Sequence, residues 1–435
     1  AKSVRALAKS VRARAKSVRA LANPVRARAK SVRALANPIR ALADCVPTRA
    51  PTSSDGRCFD FVSLHPPAKR GGAREIQKNP HAGARYHPVA AIAATKETIM
   101  ATRIGINGFG RIGRLSLRTL IERYKGAFDV VAINDLTDTK TNAHLFKYDT
   151  TYGPFRGSVE HDDASITVDG DKMKVYAQTE PSQIPWDELG CEIVLECTGR
   201  FTDANLAKGH LERGVKKVVI SAPAKNEDVT LVLGVNDDMY DPANHRVISN
   251  ASCTTNGLAP VAKVMHEKFG IDRGLLTTVH AYTNSQKTVD TAAKDLRDAR
   301  AAAENVVPSS TGAAKAVGLV IPELKGKFTG MAFRVPVRTV SVVDFTAILN
   351  REASVEEINA AMKEYAEGPM KGILAYTEEE LVSSDLIGNE ASSIFSAVDT
   401  VGMGNFVKVV AWYDNEWGYS CRIADLCHFL VKKGL

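Results

Sequence analysis

The chain contains 435 residues, of which 44% are hydrophobic and 24% are charged. These are the proportions of an ordinary globular protein, and the length predicts at least two domains. No run approaches eighteen uninterrupted apolar residues, so the sequence predicts no membrane-spanning helix.

The net charge of +8 is concentrated at one end of the chain. Residues 1–99 contain 20 Lys and Arg against 5 Asp and Glu, a net of +15, so residues 100–435 carry −7. A basic protein would suggest a nucleic-acid or anionic membrane partner. Because the larger part of the chain is mildly acidic, we expect it to bind neither.

The first segment is repetitive and then loses its periodicity. Residues 1–42 are six copies of a seven-residue unit with apolar residues at heptad spacing. Pro24 and Pro38 fall inside this pattern and would break a helix, so no continuous coiled coil is predicted. Residues 43–99 are rich in Pro, Gly, Ala and Arg, which predicts a disordered extension.

Three interpretations of this extension remain. The absence of acids before Asp44 is compatible with a transit peptide, and the basic run with a tail that binds nucleic acid or membrane. We favour a third, in which the native chain starts at Met100. Near-identical units suggest a short repeat in non-coding DNA, and codons for Lys96 and Glu97 can spell a bacterial ribosome-binding sequence.

A glycine-rich turn follows the first β-branched run after Met100. Gly108, Gly110 and Gly113 form a GxGxxG pattern that enters a stretch of helical spacing, with Arg111 and Ile112 inside it. The glycines permit the turn, the approach of a pyrophosphate and the packing of helix on strand. A pyrophosphate would bind at the helix N-terminus.

An acidic residue completes the predicted cofactor site. Asp135 ends a second strand about twenty residues after the last glycine, where a carboxylate accepts the ribose hydroxyls and repels a 2′-phosphate. Two further apolar strands, near residues 193 and 217, fit the same sheet. The sequence therefore predicts a Rossmann-type α/β domain that binds NAD.

A cysteine and a histidine stand out in the second half. Cys253 lies between a strand and a stretch of helical spacing, and a helix N-terminus is expected to lower the thiol pKa. His280, in the next predicted strand, is the expected base. Seven cysteines without regular spacing argue against a disulfide framework, and no cluster has the spacing of a metal site.

Six stretches of the sequence resemble the phosphorylating glyceraldehyde-3-phosphate dehydrogenases, and the similarity runs from about residue 100 to residue 435. They are 105–115 (GINGFGRIGRL), 249–257 (SNASCTTNG), 277–284 (TTVHAYTN), 308–318 (PSSTGAAKAVG), 331–338 (MAFRVPVR) and 412–421 (WYDNEWGYSC). The resemblance implies a cytoplasmic, glycolytic homotetramer with a Rossmann-type domain and an α+β catalytic domain.

The resemblance also implies a mechanism and a set of site residues. Cys253 matches the nucleophile that forms a thiohemiacetal with the aldehyde, and His280 matches the base. The hemiacetal passes a hydride to NAD, and inorganic phosphate releases 1,3-bisphosphoglycerate. Matching residues for the substrate phosphate are Thr283 and Arg334; for the attacking phosphate they are Ser252, Thr254, Thr311 and Gly312. For the cofactor they are Thr198, Gly199, Ser221, Asn415 and Tyr419.

Two positions depart from the family pattern. Gly257 stands where the family often has a second cysteine, which is not the nucleophile. Thr291 and Ala292 stand where members restricted to NAD usually carry a Pro after Leu or Gly. We therefore expect NAD to be preferred, with measurable use of NADP.

The expected organisation is a Rossmann domain over 100–252, a catalytic domain over 253–417, and a last helix in 418–435 that returns to the first domain. Residues 284–307 resemble the family's loop at the cofactor and subunit interface, although the sequence alone suggests a charged surface helix. One alternative activity is an erythrose-4-phosphate type of dehydrogenase. The other alternative is a binding protein that uses the basic extension.

Overall fold

The computed structural model describes residues 101–435, so the expectations for residues 1–99 lie outside the described part of the chain. Within 101–435 the chain forms two large β-sheets, both flanked by α-helices. No helix in this part of the chain is both long and apolar enough to cross a membrane.

The first sheet has nine strands in the order β3-β4-β5-β2-β1-β6-β7-β9-β8. Its strands are β1 (Thr102–Asn107), β2 (Phe128–Asn134), β3 (Val159–His161), β4 (Ser165–Val168), β5 (Asp171–Tyr176), β6 (Ile193–Glu196), β7 (Lys217–Ile220), β8 (Val229–Thr230) and β9 (Val247–Ser249). From β5 to β8 every neighbouring pair is parallel. The chain runs from β1 to the strands on one side of it, β2 and β5, and later returns to the other side of β1 with β6 and β7. This change of direction makes the end of β1 a topological switch point.

Helices cover both faces of this sheet. They are α1 (Arg111–Arg123), α2 (Thr139–Lys147) and α3 (Ala204–Ala207). Leu117 and Leu120 of α1 and Phe146 of α2 pack on one face, whereas Ala204 of α3 and Trp186 pack on the other. The Rossmann-type prediction is therefore confirmed, because parallel strands buried on both faces give the apolar runs seen in the sequence.

The second sheet has seven strands in the order β11-β12-β10-β13-β16-β15-β14. Its strands are β10 (Ile271–Ala281), β11 (Val307–Ser310), β12 (Phe328–Val335), β13 (Ser341–Leu349), β14 (Leu374–Thr377), β15 (Ser393–Met403) and β16 (Phe406–Tyr413). Its helices are α4 (Cys253–Phe269), α5 (Ala313–Val320) and α6 (Val355–Glu367). The three helices pack against one face of the sheet in a single core.

The last helix, α7 (Trp417–Lys432), begins one residue before the predicted 418 and packs against α1. Thr119 of α1 donates to the carbonyl oxygen of Ser420 at 3.1 Å, and the Tyr124 hydroxyl donates to Asp425 at 2.6 Å. The C-terminus thus contacts the first sheet's helices, while β16 lies in the second sheet.

Residues 284–306 form turns and an isolated bridge between Lys287 and Ala301. The interpretation as a charged surface helix is therefore wrong. Side-chain bonds across the loop hold it, including Gln286 to Asp298 at 2.9 Å and Arg300 to Asp290 at 2.8 Å. These contacts join residues ten or more positions apart, whereas side chains that interact on a helix are three or four positions apart.

Candidate active site

The glycine turn joins β1 to α1 at the switch point. Gly108 has a φ of +91°, and a Cβ there would lie 2.7 Å from the backbone nitrogen of Thr198. A Cβ on Gly113 would lie 2.1 Å from the carbonyl oxygen of Gly108. Both positions therefore require glycine, the first for its backbone conformation and both for close packing.

Gly110 faces open space instead. A Cβ on Gly110 would meet no protein atom within 4 Å. Gly110 is the N-cap of α1, and no side chain caps that helix start. The first backbone N–H groups of α1, which include those of Arg111 and Ile112, are thus available to an anionic pyrophosphate.

Asp135 lies beside this turn. Its Oδ2 accepts from the backbone N–H of Phe109 at 2.7 Å and its Oδ1 from that of Thr137 at 2.9 Å. A carboxylate held here can receive the ribose hydroxyls of a dinucleotide. The open helix start and the adjacent carboxylate together fit NAD.

The Arg111 side chain is held by two carboxylates. Its Nε donates to Glu416 at 3.0 Å, and the guanidinium also pairs with Asp149. Glu416 follows Asn415, so this ion pair ties the glycine turn to the segment between β16 and α7. The Arg111 side chain therefore holds two segments together, which leaves its backbone N–H as the group for the predicted cofactor contact.

The turn after β6 is held by a buried acid. Glu196, only 2% exposed, accepts from the backbone N–H of Thr198 at 2.9 Å and from its hydroxyl. The Glu196 backbone carbonyl accepts from Ser221 at 3.0 Å. Gly199 has a φ of +67°. The three predicted cofactor residues Thr198, Gly199 and Ser221 thus lie together at adjacent strand ends.

Cys253 and His280 come within contact of each other. Cys253 is the first residue of α4, and the hydroxyl of Ser252 caps that helix by accepting from Thr255 at 3.0 Å. The Cys253 Sγ lies 3.5 Å from Nε2 of His280, a buried residue of β10. The predicted nucleophile and the predicted base therefore lie at a distance that a thiol-to-imidazole hydrogen bond spans.

Burial dominates the acidity of this pair. Burial raises the pKa of the Cys253 thiol, and the positive charge of Arg334 and hydrogen bonds from Thr254 lower it in part. Burial and then the Arg334 charge lower the pKa of His280 to about 3. The expectation of a lowered thiol pKa considered only the helix start, which burial outweighs. A neutral imidazole is the form that can accept the thiol proton.

Strand pairing places Arg334 beside His280. The two residues are direct partners in the parallel pair β10–β12. The Arg334 Nη1 lies 2.7 Å from His280 Nδ1 and 3.2 Å from the carbonyl oxygen of Ala281, to which Nδ1 is also 2.7 Å away. Because a guanidinium only donates, Nδ1 accepts from Arg334 in this geometry and the ring hydrogen lies on Nε2. When Arg334 turns to another partner, Nδ1–H can donate to the Ala281 carbonyl and Nε2 keeps its lone pair towards Cys253.

Tyr413 lies behind the cysteine. Its hydroxyl is 2.9 Å from the hydroxyls of both Thr254 and Thr278, and its ring contacts His280 edge-on. Tyr413 therefore links the start of α4 to β10. Sequence reasoning missed its role, although Tyr413 belongs to the stretch 412–421 that carried the resemblance.

The remaining predicted phosphate residues lie at helix starts and in one loop. The Thr311 hydroxyl accepts from Ala313 at 3.2 Å, beside Gly312, the N-cap of α5. Thr283 bonds to Gln286 within its own loop. Among residues 101–435 no hydrogen bond joins Thr283 to Arg334 or Ser252 to Thr311.

Asn415 and Tyr419 approach the catalytic strands from the C-terminal segment. The Tyr419 hydroxyl donates to the carbonyl of Ala251, two residues before Cys253, at 2.8 Å. The Asn415 Oδ1 accepts from the Ser341 hydroxyl at 2.9 Å. Sequence reasoning gave no signal for Ser341, which lies outside every stretch that carried the resemblance.

The five cysteines within 101–435 are unbonded. Burial raises the pKa of Cys191, Cys197 and Cys421 to about 12, and that of Cys427 rises as well. Of these five, Cys253 alone has a histidine in hydrogen-bond reach, which distinguishes it as the candidate nucleophile.

The combination defines a class of protein. An open helix N-terminus at the switch point of a parallel sheet is a dinucleotide site, and a thiol beside a neutral imidazole is a site for covalent catalysis. A chain that holds both is an NAD-dependent oxidoreductase.

Comparison with known proteins agrees with this class. The family model for the glyceraldehyde 3-phosphate dehydrogenase NAD binding domain matches residues 102–204, and that for the C-terminal domain matches residues 252–415. Glyceraldehyde-3-phosphate dehydrogenase 1 of Bacillus cereus is 57% identical over 335 residues, which cover 77% of this chain and 100% of that protein. The corresponding enzymes of Geobacillus stearothermophilus (57% over 337 residues; 77% and 100%) and Streptomyces coelicolor (57% over 334 residues; 76% and 99%) are equally similar.

This chain belongs to the glyceraldehyde-3-phosphate dehydrogenase family. The predicted family and the predicted NAD dependence are confirmed.

Proposed function

We propose that the chain oxidises glyceraldehyde 3-phosphate with NAD and inorganic phosphate to 1,3-bisphosphoglycerate, reversibly. The observation that carries this is the 3.5 Å contact between Cys253 Sγ and His280 Nε2, with Arg334 against the other imidazole nitrogen. Relatives that match along their whole length and carry this enzyme's name support the assignment.

NAD is held along the ends of the first sheet. The backbone N–H groups after Gly110 bind the pyrophosphate and Asp135 binds the adenosine ribose. Thr198, Gly199 and Ser221 line the pocket at the next strand ends. Bound NAD supplies the hydride acceptor, and Asn415 and Tyr419 lie on the nicotinamide side.

Cys253 and His280 carry out the covalent chemistry. His280 Nε2 takes the thiol proton, and the thiolate adds to the aldehyde carbon. The backbone N–H of Cys253 stabilises the resulting oxyanion. After oxidation a thioester links the acyl group to Cys253. Inorganic phosphate attacks the thioester carbon, and the thiolate leaves as the acyl phosphate forms.

Two anion sites hold the phosphates. Arg334 and Thr283 bind the substrate phosphate, because a guanidinium offers bidentate, permanently charged recognition. A phosphate that engages Arg334 also leaves His280 Nδ1 to donate to the Ala281 carbonyl, which keeps Nε2 as the proton acceptor. The attacking phosphate binds at the starts of two helices, which present Ser252, Thr254, Thr311 and Gly312.

A phosphate-dependence assay tests the activity. We expect NADH formation from glyceraldehyde 3-phosphate to require inorganic phosphate and to be abolished in Cys253→Ser. Erythrose 4-phosphate should be oxidised far more slowly. Faster oxidation of erythrose 4-phosphate, or a rate that does not depend on phosphate, would favour the alternative activity.

NAD is the preferred cofactor, with some use of NADP. The Asp135 carboxylate repels the 2′-phosphate of NADP. Thr291 and Ala292, however, occupy the positions where members restricted to NAD usually carry a residue followed by proline. Measuring kcat/KM with both cofactors tests this, and an equal or higher value with NADP would contradict it.

The second sheet supports a homotetramer. Helices cover one face, but Leu275 is 61% exposed and Met331 37% exposed on strands β10 and β12. Exposed apolar side chains on an uncovered sheet face are typical of an interface between subunits, and the number of four comes from the family resemblance. Light scattering should give four times the chain mass, and a monomer at micromolar concentration would overturn the assignment. We place the enzyme in the cytoplasm, where its phosphorylated substrates are found.

The catalytic unit is residues 100–435, with a cofactor domain over 100–252, a catalytic domain over 253–417 and the last helix returned to the first. The last strand of the first sheet ends at Ser249, and the first strand of the second sheet begins at Ile271. This supports the division. Residues 1–99 then take no part in the activity. We expect equal kcat and KM for the full chain and for residues 100–435. Binding of DNA or anionic vesicles by the full chain, but not by residues 100–435, would favour the alternative role of the extension.

A further inference from the structure

Asn415 is held in one orientation by a single buried hydroxyl. Ser341 opens strand β13 and is 1% exposed, while Asn415 is 4% exposed. The Ser341 Oγ lies 2.9 Å from Asn415 Oδ1 and 3.1 Å from the backbone nitrogen of Ala281. Ser341 therefore joins the strand of His280 to the segment that enters α7.

The direction of these bonds follows from the inventory of hydrogens. The Ala281 N–H can only donate, so the Ser341 oxygen accepts there. The single hydroxyl hydrogen of Ser341 is then donated to Asn415, and the atom that receives it must be the amide oxygen. The opposite amide orientation would leave the hydroxyl hydrogen without an acceptor among residues 101–435, at a buried position. Asn415 Nδ2 makes no hydrogen bond within that range and is left as a donor.

The backbone before Ser341 is strained. Val340 has a φ of +67°, a conformation that is rare for a β-branched residue and costs on the order of 1–3 kcal/mol. The residues on both sides of it hold consecutive residues of the other segment: Thr339 donates to Asp414 at 2.8 Å, and Ser341 donates to Asn415. Strain of this kind persists where surrounding contacts require it.

We propose that Ser341 is a positioning residue that keeps the Asn415 amide nitrogen turned towards the bound cofactor as a donor to the nicotinamide carboxamide oxygen. This rests on the proposed placement of Asn415 beside the nicotinamide. The rigid link to Ala281 ties that donor to the strand of the base, so the nicotinamide ring is held in one orientation relative to Cys253 and His280.

The test compares Ser341→Ala with a matched loss of a hydroxyl. Ser393 lies in β15 of the same sheet, is fully buried, and its hydroxyl has no hydrogen-bond partner among the described residues. Ser393→Ala therefore controls for the removal of a buried hydroxyl. Ser341→Thr restores the donor, and Asn415→Asp removes the amide N–H group itself.

Calorimetric titration of the full-length protein with NAD, without aldehyde, is the first measurement. We expect the Kd for NAD to rise about tenfold in Ser341→Ala, the scale of one lost buried hydrogen bond, and to stay within twofold of wild type in Ser393→Ala and Ser341→Thr. The KM for the aldehyde should not change. An unchanged Kd in Ser341→Ala, or an equal rise in Ser393→Ala, would overturn the proposal.

The face of hydride transfer is the second measurement. Deuterium from aldehyde labelled at C1 should appear at one face of the nicotinamide C4 in wild type and at both faces in Ser341→Ala. Asn415→Asp distinguishes the placement of Asn415 from the role of Ser341. If it leaves NAD binding unchanged, the placement of Asn415 beside the nicotinamide is wrong; if it weakens binding while Ser341→Ala does not, only the role of Ser341 is wrong.

Discussion

Tyr413→Phe tests how the cysteine is held. The substitution removes one hydroxyl and leaves the ring in place against His280. In the native chain that hydroxyl lies 2.9 Å from both Thr254 and Thr278, which are 5% and 0% exposed. Burial therefore leaves the two threonine hydroxyls little access to water that could replace it.

The magnitude follows from two lost hydrogen bonds. Each buried bond contributes about 1 kcal/mol, so the folded state should lose about 2 kcal/mol. For a folded part of this size that lowers the thermal midpoint by roughly 3 °C. Because Thr254 is a proposed ligand of the attacking phosphate and loses its fixed orientation, we also expect KM for inorganic phosphate to rise several-fold while the Kd for NAD stays unchanged.

Tyr376→Phe is the matched control. Its hydroxyl donates to Glu378 at the surface, where water replaces the bond, so its midpoint should stay within about 1 °C of wild type. A cycle with Thr254→Val measures the coupling, which we expect at about 1 kcal/mol. Equal midpoints for the two Tyr→Phe variants, or strictly additive effects in the cycle, would refute the reasoning.

Three other predictions concern the chemistry and the cofactor. His280→Asn should slow the alkylation of Cys253 by iodoacetamide at neutral pH by about 10²-fold, since the base is lost; an unchanged rate would contradict the pairing. Arg334→Lys should raise KM for the aldehyde about tenfold and leave the Kd for NAD unchanged, because lysine lacks the bidentate fork; an equal change in both would argue against a phosphate role. Gly110→Ala should weaken NAD binding at an unchanged melting temperature, because its methyl group would occupy the space for the pyrophosphate. Gly108→Ala should lower the melting temperature itself, because Gly108 has a φ of +91°. Calorimetry measures both quantities, and the same result for the two variants would contradict the conclusion that, of the two, only Gly110 faces open space.

The local features of the site could be predicted from the sequence. The glycine turn, the strand that ends at Asp135 and the helix that starts at Cys253 depend on contacts within a few residues, and the structure confirms each of these elements. Turn chemistry and helix capping act over that range. The roles of the predicted site residues stay predictions.

The contacts between distant residues could not be predicted in this way. His280 and Arg334 are 54 residues apart and meet because β10 and β12 pair in one register. A shift of one residue would turn Arg334 to the opposite face of the sheet. The bond from Ser341 to Asn415, 74 positions away, depends in the same way on how the strands pair.

The thiol pKa shows the same division. A helix start, read along the chain, predicts a lowered pKa for Cys253, but the packing around it raises that pKa. By itself the sequence determined the local turn, strand and helix start, and from residue type and local pattern it predicted a nucleophile, a base and an anion site. The tertiary structure decided their distances, orientation and burial, because these depend on which strands pair and which groups lose water.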